Sequence, residues 1–302
     1  MTKIFAAASA ALALAAPAFA AEPPAPAHAV GADVTYSSDA DQTEMVRVGV
    51  NGNLAYRDEE HYLGFRIERT WYRPNGALTK RDDRVYVLAA GGSDWKYALQ
   101  LGTNGDTVLG SGSVHNEARL RQEYFVERDR LETPQGATRG LYYTFGGASV
   151  DLPFSDRAQL TLLGGLQEFT GRNVRTHLRA NAIAVVAPDW GLSLQLRTRY
   201  FHDSVPYEYD YYSPRWYAEV LPVVQVRRFI GGWRLLAAAG WGAHKDSVSD
   251  WRQSRYLNLR ATSPTDRRGW AMKGDLTYSN QPVTNASNYD YLRVSAGLTR
   301  VF

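Results

Sequence analysis

The chain of 302 residues has no cysteine and only 3 Met. The absence of Cys excludes disulfides, thiolate catalysis, lipoprotein anchoring and Cys-ligated metal sites. Neither sign of charge dominates, because 34 Lys and Arg face 31 Asp and Glu for a net charge of +3. This balance argues against a nucleic-acid-binding protein. Hydrophobic residues make up 44% and charged residues 22% of the chain, a composition that excludes a disordered protein.

Long apolar runs are also missing after the first twenty residues. No later stretch approaches the ~20 apolar residues that a membrane-spanning helix needs, and no segment keeps a helical period over the length of a helix. The sequence is instead rich in Gly (26), Tyr (19) and Trp (8). Glycine and aromatics together with an ordinary charge content predict an all-β protein that meets lipid.

The first residues predict a signal for export. A short positive start, an Ala- and Leu-rich apolar run, Pro17 and the sequence Ala18-Phe19-Ala20 together form the pattern of a secretory signal peptide over residues 1–20. The Pro- and Ala-rich stretch that follows predicts an extended periplasmic tether over residues 21–42. Residues 43–302 are then predicted to form one outer-membrane β-barrel domain.

The rest of the chain repeats segments that alternate apolar and polar residues. In residues 190–202, Leu192, Leu194 and Leu196 fall on one face, while Arg197 and Arg199 fall on the other. A period of two predicts a strand whose faces meet different surroundings. Fourteen such segments predict a single antiparallel up-and-down transmembrane β-barrel of 14 strands. Sixteen strands is the alternative, if residues 32–36 and one half of a split segment are also strands.

Alternation does not distinguish a soluble barrel from a membrane barrel, but three features favour the membrane. Trp and Tyr lie at segment ends, where they would form girdles at the two lipid–water interfaces. Tight and long connections alternate along the chain, as the turns and outer loops of membrane barrels do. The final segment alternates up to a terminal Phe302, which resembles the signal read by the bacterial barrel-assembly machinery, although Arg300 departs from that pattern. These features predict the outer membrane of a Gram-negative bacterium, with lipid and lipopolysaccharide as partners.

If the apolar stripe faces lipid, the polar stripe faces the lumen. On that stripe we count sixteen Lys and Arg against four acids. The predicted pore-lining residues are Arg47, Arg66, Arg119, Arg121, Arg175, Arg179, Arg197, Arg199, Arg215, Tyr217, Arg227, Arg234, Arg252, Tyr256 and Arg260. Such a wall would attract anions, and the planar guanidinium fork matches carboxylate and phosphate. The alternative is that these arginines pair with acids and only fill the lumen.

Two internal segments suggest a family. Residues 169–175 and 211–217, together with the closing Leu-Arg-Val-Ser-Ala-Gly-Leu run, resemble the C-terminal barrels of exopolysaccharide secretion porins. These are the outer-membrane components of cellulose and poly-N-acetylglucosamine export and related stand-alone barrels. The most specific element of the resemblance is Tyr212, Ser213 and Pro214. The resemblance implies passage of a polysaccharide, a barrel of sixteen strands and a separate periplasmic scaffold protein. It implies no catalytic residues.

The sequence alone is therefore consistent with three functions. The first is secretion of an exopolysaccharide, anionic if the lumen arginines recognise it, by passive passage through an Arg- and Tyr-lined lumen. The second is a general or substrate-specific uptake porin, with residues 203–213 as its inward loop. The third is a lipid-modifying barrel enzyme that uses His177 or His202. We favour a channel that is not an enzyme, has no metal site or cofactor, and does not bind nucleic acid, because no catalytic or zinc motif is present.

Overall fold

A computed structural model describes residues 27–40, 43–74, 77, 80–280 and 290–302. The predicted signal peptide and the first part of the predicted tether, residues 21–26, lie outside the described residues. The described part of the chain forms sixteen strands and one short α-helix. The strands are β1 (Ala27–Asp39), β2 (Glu44–Asp58), β3 (His61–Arg73), β4 (Lys80–Gly92), β5 (Trp95–Thr103), β6 (Val108–Asn116), β7 (Arg121–Arg130), β8 (Tyr142–Ser155), β9 (Ala158–Phe169), β10 (Val174–Ala187), β11 (Leu192–Asp203), β12 (Trp216–Ile230), β13 (Trp233–Asp246), β14 (Arg252–Thr262), β15 (Trp270–Ser279) and β16 (Tyr291–Val301), and helix α1 is Pro134–Arg139.

The strands close into one antiparallel barrel. Each strand pairs with its neighbours in the chain, and β1 pairs with β16 from Ala29 opposite Val301 to Asp39 opposite Tyr291. Closure leaves no strand edge, so the backbone N–H and C=O groups are satisfied within the wall, as hydrocarbon surroundings require. None of the described residues lies in a helix that is long and apolar enough to cross a membrane.

The main prediction of 14 strands is wrong, and the alternative of sixteen is confirmed. The predicted segment 113–128 is two strands, β6 and β7, joined by residues 117–120. This turn contains neither Gly nor Pro, so nothing in the sequence marks it. The other extra strand is β1, which occupies most of the range predicted as a tether. Its alternation is weak in sequence because Ala occurs on both of its faces.

The wall is apolar outside and polar inside. On β10 the outward Leu178 is 56% exposed, whereas the inward Arg175 and His177 are each 1% exposed. Other strands follow this arrangement, with exposed Ile67, Val87 and similar side chains on the outer surface. A soluble barrel would bury these side chains, since exposed apolar patches of such extent mark contact with another apolar phase. The alternation in sequence predicted this inversion correctly.

The two ends of the barrel differ. One end, here called the turn end, carries the start of β1, the end of β16 and short turns such as residues 59–60, 93–94 and 231–232. The opposite end, here called the loop end, carries the longer connections 131–141 and 204–215. In outer-membrane barrels short turns face the periplasm and longer loops face outward.

Two glycines at the turn end allow a matched test of the fold. Gly191 (φ +62°) and Gly231 (φ +57°) both have left-handed backbone, which costs an alanine about 1–2 kcal/mol. A Cβ on Gly191 would lie 1.8 Å from the carbonyl oxygen of Arg227, whereas a Cβ on Gly231 would meet nothing within 4 Å. Gly191→Ala is therefore expected to unfold at a clearly lower denaturant concentration than Gly231→Ala. Equal midpoints in detergent would contradict this packing of β12 against the turn.

Candidate functional site: the lumen and the loops that cross it

The alternation of each strand decides where the predicted pore-lining residues lie. Thirteen of the fifteen occupy inward positions on the strands: Arg47, Arg66, Arg121, Arg175, Arg179, Arg197, Arg199, Tyr217, Arg227, Arg234, Arg252, Tyr256 and Arg260. Arg234 and Arg252 lie at the starts of their strands and are exposed. Arg119 and Arg215 lie in connections and are exposed, so their predicted place on a strand is wrong. Arg119 lies between the end of β6 at Asn116 and the start of β7 at Arg121, and Arg215 lies one residue before β12 begins.

The predicted shortage of acids inside the barrel is also wrong. The sequence assigned Asp82 and Asp129 to turns, but strands β4 and β7 extend far enough to bring both inside. Further inward acids missed from the sequence are Asp33, Glu127, Asp151, Asp203 and Asp246. Charged residues occur at the ends of many strands. An error of two residues in a predicted strand boundary therefore changes the number of charged side chains assigned to the lumen.

On β2, β3, β4 and β7 the inward arginines are paired with acids. Arg84 donates to Asp82 at 2.8 Å, to Asp129 at 2.8 Å and to the Tyr72 hydroxyl at 2.9 Å. The Nε of Arg47 lies 3.3 Å from a Glu68 carboxylate oxygen. These side chains are almost fully buried. Buried charges require such partners, so this side of the lumen fits the alternative in which arginines fill space.

The opposite side of the lumen carries an excess of positive charge. The inward positions of β10 to β16 hold ten basic residues and four acids among the described residues. The basic residues are Arg175, Arg179, Arg197, Arg199, Arg227, Arg234, Arg252, Arg260, Lys273 and Arg293, and the acids are Asp203, Glu219, Asp246 and Asp275. A low-dielectric wall focuses the potential of such a surface into the lumen. The lumen is therefore electrically asymmetric, with its positive side on β10 to β16.

Five arginines of this positive side, Arg179, Arg197, Arg199, Arg227 and Arg260, are here called the arginine wall. Arg179 stands opposite Arg199 in the strand register. The guanidinium of Arg197 lies 4.9 Å from the centre of the Tyr256 ring.

Between the arginines lies an apolar floor. Leu221, Val223 and Ala238 form it, with Leu236 and Tyr256 packed alongside. Guanidinium groups beside an apolar and aromatic surface form a lining that can bind both an anionic group and the C–H face of a sugar ring.

The connection 131–141, here called the crossing loop, passes across the lumen near the loop end. It leaves from β7 and β8, yet Glu132 accepts hydrogen bonds from Ser37 on β1 at 3.3 Å and from Tyr291 on β16 at 3.2 Å. In a closed barrel of sixteen strands, β8 and β1 are seven strands apart, on opposite sides. The Ala137 side chain is fully buried against Met45 and Tyr72.

A second connection, 204–215, here called the anchored loop, packs against the first. Asp210 accepts hydrogen bonds from the Thr133 hydroxyl at 2.8 Å and the Gln135 N–H at 2.7 Å. Glu208 accepts from the backbone N–H groups of Arg172 and Asn173. Burial alone would raise the pKa of Glu208, but these donors and the Arg172 guanidinium lower it below its ordinary value. The sequence predicted 203–213 as the inward loop of a porin, but the segment that reaches the opposite wall is the crossing loop.

The two segments that resemble exopolysaccharide porins meet at this anchored loop. Arg175 donates to the backbone carbonyl of Tyr212 and to Asp203, the latter at 2.9 Å. The Phe169 and Tyr211 rings stack with centroids 4.3 Å apart. Tyr212, Ser213 and Pro214 are all buried. The residues of the resemblance therefore hold a loop in place, a role that sequence reasoning did not assign to them.

Loss of Arg175 is expected to release the anchored loop. The Arg175 and Asp203 side chains are 1% and 0% exposed, so Arg175→Ala would leave a buried carboxylate without its guanidinium, at a cost of about 3–5 kcal/mol. We expect a lower unfolding midpoint and new protease cleavage within residues 204–215. The control is Arg172→Ala, because Arg172 is 81% exposed beside Glu208 and its ion pair is worth at most about 1 kcal/mol. Equal cleavage of both variants would contradict the assigned role of Arg175.

The histidines considered for catalysis do not form a common site. His177 points inward, where Nε2 lies 2.9 Å from the Gln167 side-chain oxygen, whereas His202 points outward and is exposed. His244 Nδ1 lies 2.9 Å from Ser254 Oγ, but Ser254 donates its proton to Glu219 at 2.8 Å. In a catalytic triad the carboxylate bonds to the histidine instead. Within the described ranges, no three His, Cys, Asp or Glu side chains group as metal ligands.

Comparison with known proteins finds similarity of structure only. No family model matches the chain, and no curated protein matches its sequence. A bacterial polysaccharide outer membrane secretin matches with a TM-score of 0.67 at 12% identity, covering 91% of this chain and 98% of that one. OccK5 (OpdH) of Pseudomonas aeruginosa gives a TM-score of 0.45 at 10% identity, over 92% and 98% of the two chains. The KdgM porin gives 0.37 at 10% identity, over 90% and 99%. The chain therefore has the fold of an outer-membrane barrel.

Proposed function

We propose that this protein is a channel in the outer membrane of a Gram-negative bacterium, through which an anionic exopolysaccharide leaves the cell. The observation that carries the proposal is the arginine wall, which lines a lumen that the crossing loop traverses near the loop end. The similarity in fold to a polysaccharide outer membrane secretin supports a polymer as cargo. The apolar outer surface and the closed wall support residence in lipid.

The lining of the lumen suits an acidic sugar chain. A guanidinium binds both oxygens of a carboxylate, and Arg197 and Arg227 project from neighbouring strands into the same lumen. Tyr256 and the apolar floor offer a surface on which sugar C–H groups can pack. Direct contacts of this kind would repeat along a polymer, so each can be weak while the chain stays in the lumen.

The loops favour gated export over free diffusion. The crossing loop is tied to both β1 and β16 through Glu132, and this position supports a gate that moves when cargo passes. An uptake porin is the second candidate, because an inward loop can also narrow an open pore. Liposome swelling separates the two proposals. Swelling in small neutral sugars would favour the porin, and its absence favours the gated export channel.

The end of β16 bears on how the barrel is assembled in the membrane. The terminal Phe302 accepts and donates backbone hydrogen bonds with His28 across the seam between β16 and β1, and its side chain is exposed. We expect the barrel-assembly machinery to recognise this end, and a separate periplasmic scaffold to deliver polysaccharide to the turn end. Deletion of Phe302 should therefore reduce the folded protein in the outer membrane.

A secretion assay tests the proposed function directly. A strain lacking this gene is expected to retain acidic polysaccharide in the periplasm, and the wild-type gene should restore export. A gene with Arg197→Gln, Arg227→Gln and Arg260→Gln should restore export poorly at equal amounts of folded barrel. Normal secretion by the deletion strain would contradict the proposal.

A further inference from the structure

The outward surface at the loop end carries a cluster of charged groups on two adjacent strands, here called the headgroup cluster. Its residues are Arg69 and Arg73 on β3 and Arg81 and Asp83 on β4, all exposed and pointing away from the lumen. Arg69 donates to both oxygens of Asp83, at 2.5 and 3.2 Å. The Nε of Arg81 lies 3.5 Å from the same carboxylate.

Positive charge exceeds negative charge at this place. The nearby Glu44 stands opposite Arg73 in the register and accepts a hydrogen bond from the Tyr36 hydroxyl. Counting Glu44, three guanidinium groups face two carboxylates. Arg69 and Arg81 share one carboxylate, that of Asp83. Asp83 holds the guanidinium of Arg69 through both of its oxygens, whereas 60% of the Arg81 side chain is exposed to solvent.

The cluster lies where the apolar band of the wall ends. In the register, Ile67 stands opposite Val85, the next outward pair is Arg69 opposite Asp83, and Trp71 then stands opposite Arg81. Ile67 and Val85 are more than half exposed. The sequence of apolar pair, charged pair and Trp marks a membrane interface, where aromatic rings and basic side chains meet lipid headgroups.

We propose that the headgroup cluster binds the phosphate of a phosphorylated glycolipid in the outer leaflet of the outer membrane. Arginine binds phosphate in a bidentate manner, and the exposed Ile67 and Val85 lie where the acyl chains of the same lipid would pack. The turn end offers a contrast, because outward Arg228 and Arg300 lie singly over the rings of Trp190 and Trp270. This inference rests on the proposed membrane and orientation, but not on polysaccharide export.

Native mass spectrometry of the detergent-purified barrel tests the proposal. With diphosphoryl lipid A as the probe, we expect a one-to-one adduct. Arg69→Gln, Arg73→Gln and Arg81→Gln together should weaken the adduct by about tenfold or more, since a factor of ten corresponds to about 1.4 kcal/mol. The matched control, Arg228→Gln with Arg300→Gln, should bind like the wild type, and lipid A without its phosphates should bind weakly to every variant.

Three results would overturn the proposal. They are equal lipid A binding by the triple variant, equal binding of lipid A that lacks phosphates, and full competition by millimolar inorganic phosphate, which would indicate a general anion site. Heat-modified mobility on gels confirms that each variant is folded. Polymer export and conductance measured on the same variants keep this test separate from the proposed function, because the headgroup cluster lies outside the lumen.

Discussion

Replacing the crossing loop by a tight turn is expected to raise single-channel conductance several-fold. Leu131 and Leu141 already share a backbone hydrogen bond of 2.9 Å, so an Asn-Gly turn in place of residues 132–140 can join β7 to β8 without disturbing the wall. The replacement removes the contacts of Glu132 with β1 and β16 and the packing of Ala137 on Met45. Planar-bilayer recording measures the change.

The control for this experiment uses the absence of cysteine. Ser37→Cys with Glu132→Cys introduces two thiols into a chain that has no others. A short bis-methanethiosulfonate cross-linker, which joins the two thiols through disulfide bonds, should then hold the loop against β1, lower conductance and block export until a thiol reductant is added. Each single Cys variant should be insensitive to the reagent. If the loop replacement and the cross-link both leave conductance unchanged, the crossing loop does not obstruct the lumen.

The features of this barrel that follow from sequence are those that depend on neighbouring residues. Leu192, Leu194 and Leu196 alternate with polar residues, and a period of two determines which face each side chain takes. The structure confirms the resulting inversion, with Leu194 and Leu196 exposed on the outer surface. The sequence alone therefore predicts which face of each strand is apolar and which is polar.

Features that depend on strand ends were harder to predict. Residues 117–120 form a turn without Gly or Pro, so the sequence pattern predicts one segment where the structure has β6 and β7. Asp82 and Asp129 lie near strand ends, so the sequence pattern places both in turns, whereas the structure places them on strands. These errors hid the ion pairs of Arg84 and made the lumen look uniformly positive. The structure instead confines the excess of positive charge to the inward face of β10 to β16.

The crossing loop had no signal in the sequence. Its anchoring residue, Glu132, is 95 residues from Ser37 and 159 residues from Tyr291. Such contacts arise only when closure of the barrel brings distant strands to face one another across the lumen. The segments that resemble exopolysaccharide porins had a signal, but their shared role in holding the anchored loop depends on Arg175 reaching Tyr212, 37 residues away.

Neutralising the arginine wall is expected to reduce anion selectivity several-fold. The variant is Arg197→Gln, Arg227→Gln and Arg260→Gln in the background with the crossing loop replaced, so that the lumen conducts. Reversal potentials in a salt gradient should shift from strong anion preference toward none, because the inward face of β10 to β16 loses three of its ten basic residues. Gln keeps much of the side-chain volume, and at Arg260 it avoids placing a second carboxylate beside Asp275, its 3.2 Å partner.

The matched control for the arginine wall removes a guanidinium charge from the outer surface instead of the lumen. Arg228 follows Arg227 in the chain and faces outward, where its guanidinium lies 5.8 Å from the Trp190 ring centre. Arg228→Gln should leave selectivity unchanged although the net charge falls. Raising the salt concentration from 0.1 to 1 M shortens the electrostatic screening length from about 10 to about 3 Å. The difference in anion selectivity between the triple Gln variant and the barrel that keeps its arginines should therefore become smaller. Cation preference in the parent barrel would contradict an anionic cargo, and equal effects of Arg227→Gln and Arg228→Gln would show that position in the lumen does not matter.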